Sequence, residues 1–165
     1  MEETLLTARP DLTTQDAVRV LARVWGVRAD DARDLGSERD RTFLLTVGGA
    51  PRAVLKVSNP AEDPDVLDME AAAAWHAHRV DPGLGVALPW TVPGHEDVFR
   101  AAWQDGAGAT CWVRAYDVLP GASRIDPTAL SDRALHAWGR TTARLGRALR
   151  GFSRPGSVAN SVLVI

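Results

Sequence analysis

The stretch "RTFLLTVGGAPRAVLKVSN", residues 41 to 59, constrains the fold of this chain more than any other. Apolar and polar residues alternate on both sides of Gly48, Gly49, Ala50 and Pro51, which predicts two short strands joined as a hairpin. A weaker strand precedes it around Arg28 to Leu35. Three further strand candidates follow later, "VALPWTVPG", "DVFRAAWQDG" and "ATCWVRAYDVLPG", separated by Gly-containing turns. The expected result is a twisted antiparallel sheet of about five strands in an α+β fold.

Three helices complete the pattern. From about Thr14 to Trp25, the residues Val18, Leu21, Ala22 and Trp25 share one face, Thr13 or Thr14 can cap the start, and Gly26 ends the run. Inserted into the sheet is "DVLDMEAAAAWHAHRV", whose alanines favour helix and whose leading acids suit the positive end of its dipole. A third helix is expected from about Thr128 to Leu149. There Leu135, Trp138, Thr142, Leu145 and Leu149 recur every three or four residues, while Arg133, Arg140, Arg144, Arg147 and Arg150 lie mostly off that stripe.

The 165 residues suit one domain, or one lobe and part of another, and with 45% hydrophobic residues they can bury a real core. A formal net charge of −2 without a basic stripe argues against nucleic acid as a partner. No stretch approaches a membrane span or a signal-peptide core, so the expectation is a cytoplasmic chain. Cys111, the single cysteine, has no partner for an internal disulfide and no ligand neighbours for zinc, and reads as a small core hydrophobe. The six tryptophans are scattered, and most are expected in the core.

Lys56 is the residue of chemical interest. Glu70 lies on the following helix, with Val66 four residues before it and Ala73 and Ala74 after it, which places its carboxylate at or beside an apolar face. A carboxylate there needs a cation opposite, and Lys56 is the nearest candidate. A strand lysine held by a helix glutamate can present its ammonium to phosphate oxygens. By themselves the same two residues also read as an edge-guarding lysine and a surface glutamate.

The stretches "LGSERDRTFLLTV", "AVLKVSN", "LDMEAAAAWH" and "VRAYDVLPG", in that order, resemble the N-terminal lobe of the aminoglycoside phosphotransferase and choline kinase-like family, in particular its hydroxylysine kinase-like branch. Members of that branch also occur fused ahead of class III aminotransferases. The resemblance runs from about Leu12 to Phe152. It implies a kinase-like N-terminal lobe over residues 1–120, and an interlobe helix with the start of a C-terminal lobe over residues 121–165. Lys56 would contact nucleotide phosphates with Glu70 as its partner. Gly36, Ser37 and Arg39 would lie in the turn over the phosphates, although "GSERDR" matches that loop loosely. Val113, Arg114, Ala115 and Tyr116 would form the hinge whose backbone meets the adenine edge.

The resemblance further implies ATP or GTP with magnesium, and a hydroxyl on an amino alcohol, hydroxylysine or a similar molecule as acceptor. The catalytic Asp and metal-binding Asn of an H-x-D-x-x-x-x-N loop belong to the C-terminal lobe, and this chain ends before they would appear. Its one H-x-D, His95 to Asp97, has Ala102 where the Asn is needed. His76 and His78 are two apart on a helix and cannot share a face, and His136 reads as structural. No G-x-S-x-G or Walker loop occurs. The expectation is a nucleotide-binding lobe, inactive alone, which needs a missing C-terminal lobe or a fused aminotransferase domain and otherwise self-associates. The alternative is a non-catalytic kinase-like module that binds a partner.

Overall fold

The computed structural model describes residues 9–121 and 130–153. Helix α1 (Thr14–Trp25) opens on a capping box in which the Asp16 amide donates to the Thr13 hydroxyl and the Thr13 amide donates back to the Asp16 carboxylate. Gly26, at φ 69°, closes it, and the Gly26 amide donates to the carbonyls of Leu21 and Ala22. The face α1 buries is centred on Ala17, Val20, Leu21, Val24 and Trp25, slightly rotated from the expected stripe.

Strand β1 (Asp31–Asp34) leads to the hairpin of β2 (Arg41–Val47) and β3 (Ala50–Ser58). The turn is tighter than the sequence pattern suggested. Only Gly48 and Gly49 lie between the strands, both at positive φ (59° and 77°), as a type I′ turn requires. The pairing shifts by one residue after Leu45, where Pro51 has no amide to give the ladder.

Helix α2 (Pro64–Val80) follows, capped by Asp63, and then β4 (Ala101–Gln104) and β5 (Thr110–Tyr116). The five strands form one antiparallel sheet in the order β1-β2-β3-β5-β4. Of the three later strand candidates, "VALPWTVPG" is not a strand. It makes only isolated bridges, Pro89 to Tyr116 and Val92 to His95, because Pro89 and Pro93 interrupt the amides a ladder needs.

The sheet has two unlike faces. On one, Phe43, Leu45, Ala53, Leu55, Val57, Val113 and Ala115 pack with the buried residues of α1 into the main core. Cys111 belongs to it, buried as expected, and burial pushes its thiol up to about 12. On the other face stand Thr42, Lys56, Ser58, Trp112, Arg114 and Tyr116, fixed by the register of β2, β3 and β5, and α2 lies over it.

The last helix, α3 (Asp132–Ala148), starts at an Ser131 cap whose hydroxyl accepts from the Ala134 amide. It is shorter than expected, and Thr128 lies outside the described residues. Arg144 clasps Asp81 at the end of α2 through two hydrogen bonds of 2.8 and 2.6 Å. Beside that clasp Ala77, Leu84 and Ala148 form a small second cluster. Leu135, Trp138 and Leu145 remain exposed on α3. His136 is exposed as well, so the chain gives it no packing role. The tryptophans also depart from expectation: of the six only Trp25 is buried, and Trp138 is 59% exposed. Among the described residues no helix is long and apolar enough to cross a membrane.

Candidate functional site

The candidate site is the α2 face of the sheet, and strand register builds it. Lys56 on β3 lies directly opposite Arg114 on β5 and Thr42 on β2, so the two cations are side-by-side neighbours. Arg114 is the more constrained of the two. Only 1% exposed, it donates to the Glu70 carboxylate at 2.8 Å and to the Ser58 hydroxyl at 3.4 Å, while its Nε has no hydrogen-bond partner among the described residues. Its guanidinium carbon lies 5.7 Å from the centre of the Tyr116 ring.

The expected ion pair between Lys56 and Glu70 is therefore not formed. Glu70 belongs to Arg114, and the Lys56 ammonium instead has the Asp40 carboxylate at 3.9 Å. The physical reason is an inverted assignment of burial. The residues that α2 buries are Leu67, Ala71 and Ala77, which turns Glu70 outward until its side chain is 53% exposed. The charge that needs compensation is the buried guanidinium, not the carboxylate. Lys56, 37% exposed, retains water and a loose partner.

A second arginine repeats the arrangement one strand away. Arg100 makes a two-point pair with Asp68 of α2, both bonds 3.0 Å, and stacks 4.1 Å over the Trp112 ring. Two buried guanidinium groups thus tie α2 to the sheet. Burial pushes the Tyr116 phenol up; the Arg114 guanidinium beside it pulls the other way, and the Glu70 and Asp40 carboxylates push it further.

The β1–β2 loop closes one side of this patch. Gly36 turns at φ 76° with its amide donating to the Asp34 carboxylate, and Ser37 follows it. Arg39 is committed to Glu62 at 2.8 Å. Asp40 accepts the Asn59 amide at 3.0 Å, and the Asn59 side-chain amide reaches the Arg39 carbonyl at 3.5 Å. The loop that sequence reasoning placed over phosphates is thus fastened to the end of β3, beside Lys56, with Arg39 engaged in that fastening.

The hinge needs correction. Arg114 and Tyr116 pair with Lys56 and Val54 in the sheet, the Ala115 carbonyl accepts from the Trp90 amide, and the Asp117 amide donates to the Leu88 carbonyl. Val113 to Tyr116 is an inner strand with its backbone already used. The backbone that could offer an edge to a ligand begins after it, in residues 117–121.

Sequence reasoning missed Asp40, although the hairpin register could have found it. Residue 40 is two positions before Thr42, the partner of Lys56, and so diagonal to the lysine on the same face. It also passed over a compositional signal. Among the nineteen Lys and Arg residues, Lys56 alone is a lysine. A compact ammonium is a different tool from a planar guanidinium, and this chain uses it once, here. Among the described residues no three His, Cys, Asp or Glu side chains are grouped to hold a metal, and Asp40 and Glu70 are paired with cations.

No family model matches the chain. It is 24% identical over 159 residues to the hydroxylysine kinase of Mus musculus, a match that takes in 90% of this chain and 42% of that protein. Its fold matches the solved structure of the microcompartment-associated aminopropanol kinase with a TM-score of 0.58 and 23% identity, over 89% of this chain and 44% of that one. The chain spans less than half the length of these relatives. The two comparisons support the phosphotransferase-like resemblance and a kinase-like α+β fold.

Proposed function

We propose that this chain is the nucleotide-binding lobe of a small-molecule kinase, with residues 1–120 as the lobe and residues 121–165 leading into a second one. The observation that carries the reading is Lys56: the sole lysine, partly exposed on the α2 face, with one carboxylate partner among the described residues, Asp40, at 3.9 Å. An ammonium so loosely held is available to phosphate oxygens, and the fastened β1–β2 loop lies beside it. The backbone of residues 117–121 would meet the base of ATP or GTP.

Transfer of a phosphoryl group requires more than this. The acceptor hydroxyl must be oriented and the metal held, and the sequence contains no H-x-D-x-x-x-x-N loop to do either. In this reading a C-terminal lobe, or a larger protein that carries one, supplies those groups and the pocket for the acceptor. The names of the two relatives suggest an acceptor that is an amino alcohol or hydroxy amino acid. Nothing in this chain selects among such acceptors. Leu135, Trp138 and Leu145 of α3 are the surface a second lobe would cover, and without it they favour self-association.

Purified chain incubated with ATP, magnesium and a panel of amino alcohols is expected to show no phosphorylation, and ATP binding is expected to be weak because half of the enclosing cleft is absent. Magnesium-dependent turnover by a monomeric sample would contradict this reading.

A further inference from the structure

We infer that the cleft between α2, residues 91–99 and the residues after α3 binds a small amino acid with an apolar side chain. The inference does not rest on the nucleotide reading, because no residue that lines this cleft belongs to the Lys56 face. Its shape and its charges carry it.

The cleft encloses about 500 Å³, the size of a small-molecule site. Ala72, Trp75, His76 and Arg79 fall at spacings of three and four on α2 and form one wall. Phe99 and Phe152 add aromatic surface from the other two elements. The rings are held in place: the Trp75 indole donates to the Pro89 carbonyl at 3.2 Å, and the His76 ring lies 5.4 Å from that of Phe152. Such walls suit an apolar body.

Opposite charges line the same cleft without meeting. Glu96 and Asp97 are the central residues of a turn closed by the Val98 amide on the His95 carbonyl at 3.1 Å, and the Val92 amide on the Val98 carbonyl at 2.7 Å ties that turn down. Arg79 stands on α2. Among the described residues none of these three is in an ion pair. His76, which also lines the cleft, has a buried Nε2 with no hydrogen-bond partner among the described residues. An α-amino acid answers all of these groups at once. Its ammonium meets the two carboxylates and can give one N–H to a neutral imidazole nitrogen, its carboxylate meets the guanidinium, and its side chain lies among the rings. A bare anion would face two carboxylates against one guanidinium, and a bare amine would leave Arg79 unmet.

Three probes with one phenylalkyl body separate these contacts: phenylalanine, phenethylamine, which lacks the carboxylate, and phenylpropionate, which lacks the ammonium. Each is titrated into the full chain and followed by the ring-proton NMR signals of the four histidines, with His76 assigned from H76Q. Phenylalanine is expected to move the His76 signals and to bind about fivefold more tightly than either partial probe, the worth of one partly exposed ion pair. E96Q/D97N is expected to remove its advantage over phenylpropionate, and R79Q its advantage over phenethylamine. All three substituted residues are exposed, so the fold should not suffer. Equal affinities of the three probes in wild type would overturn the inference, as would advantages that survive these substitutions, or a His76 signal that phenylalanine does not move.

Discussion

The two faces of one sheet are stabilised by different physics. Toward α1 the contacts are apolar and collective: Phe43, Leu45, Leu55 and Val57 fill space with Val20, Leu21 and Val24, and any arrangement of similar volume would serve. Toward α2 they are ionic and specific, with Arg100 placed for Asp68 and Arg114 for Glu70. An apolar face tolerates a changed shape, whereas a buried guanidinium tolerates no change of partner. The ionic face is also the one that presents Lys56, so the candidate site and the strictest positional demands coincide there.

The largest effect is expected where the apolar face is broken. Phe43, fully buried opposite Leu55, should cost about 3–5 kcal/mol when truncated in F43A, read from urea or thermal unfolding. A loss below about 1 kcal/mol would mean that this face is not the main core.

The ionic face should break differently. D68A leaves the Arg100 charge buried without its partner and should cost about 3 kcal/mol, whereas the double variant R100M/D68L, which removes both charges, should come within about 1 kcal/mol of wild type. If the double variant is as damaged as the single, α2 is held by packing and the contrast between the faces disappears.

Next in size is the start of α1. T13A should lose about 1 kcal/mol with the cap. It should also alter the acid limb. The Thr13 hydroxyl is the main group that holds the Asp16 carboxyl below its ordinary value, so this stabilisation is fully present above about pH 3.9, the unfolded value, and is lost as pH falls through the lower folded value. Stability followed from pH 6 downward should therefore decline less steeply in T13A than in wild type. Smallest is the clasp between α2 and α3. R144Q should lower the melting temperature slightly in dilute buffer and not at all in about 1 M salt, where exposed pairs are screened.

Local signals carried most of the fold. The hairpin, the extent of α1 and the acid-led α2 were legible because turn glycines, a capping threonine and helix-favouring alanines act within a few residues of themselves. What was not legible depended on distance along the chain. Glu70 and Arg114 are 44 residues apart, and no local pattern states which carboxylate a buried arginine will take. The segment from Val86 to Gly94 had the hydrophobicity of a strand, but its prolines left only isolated bridges. For the site, Lys56 was singled out by its place in an alternating run; its partner was misread because α2 turns Glu70 outward, a rotation set by Leu67 and Ala71 packing beneath it.

The central claim is that the α2 face works through Lys56 while the α1 face only supports it. Titration of wild type and K56M with ATP and with adenosine, followed by tryptophan fluorescence at fixed salt, tests it most directly. The account predicts that wild type binds ATP more tightly than adenosine, and that K56M unfolds at nearly the wild-type temperature but binds the two alike. Equal binding of ATP and adenosine by wild type, or an ATP preference unchanged in K56M, would contradict it.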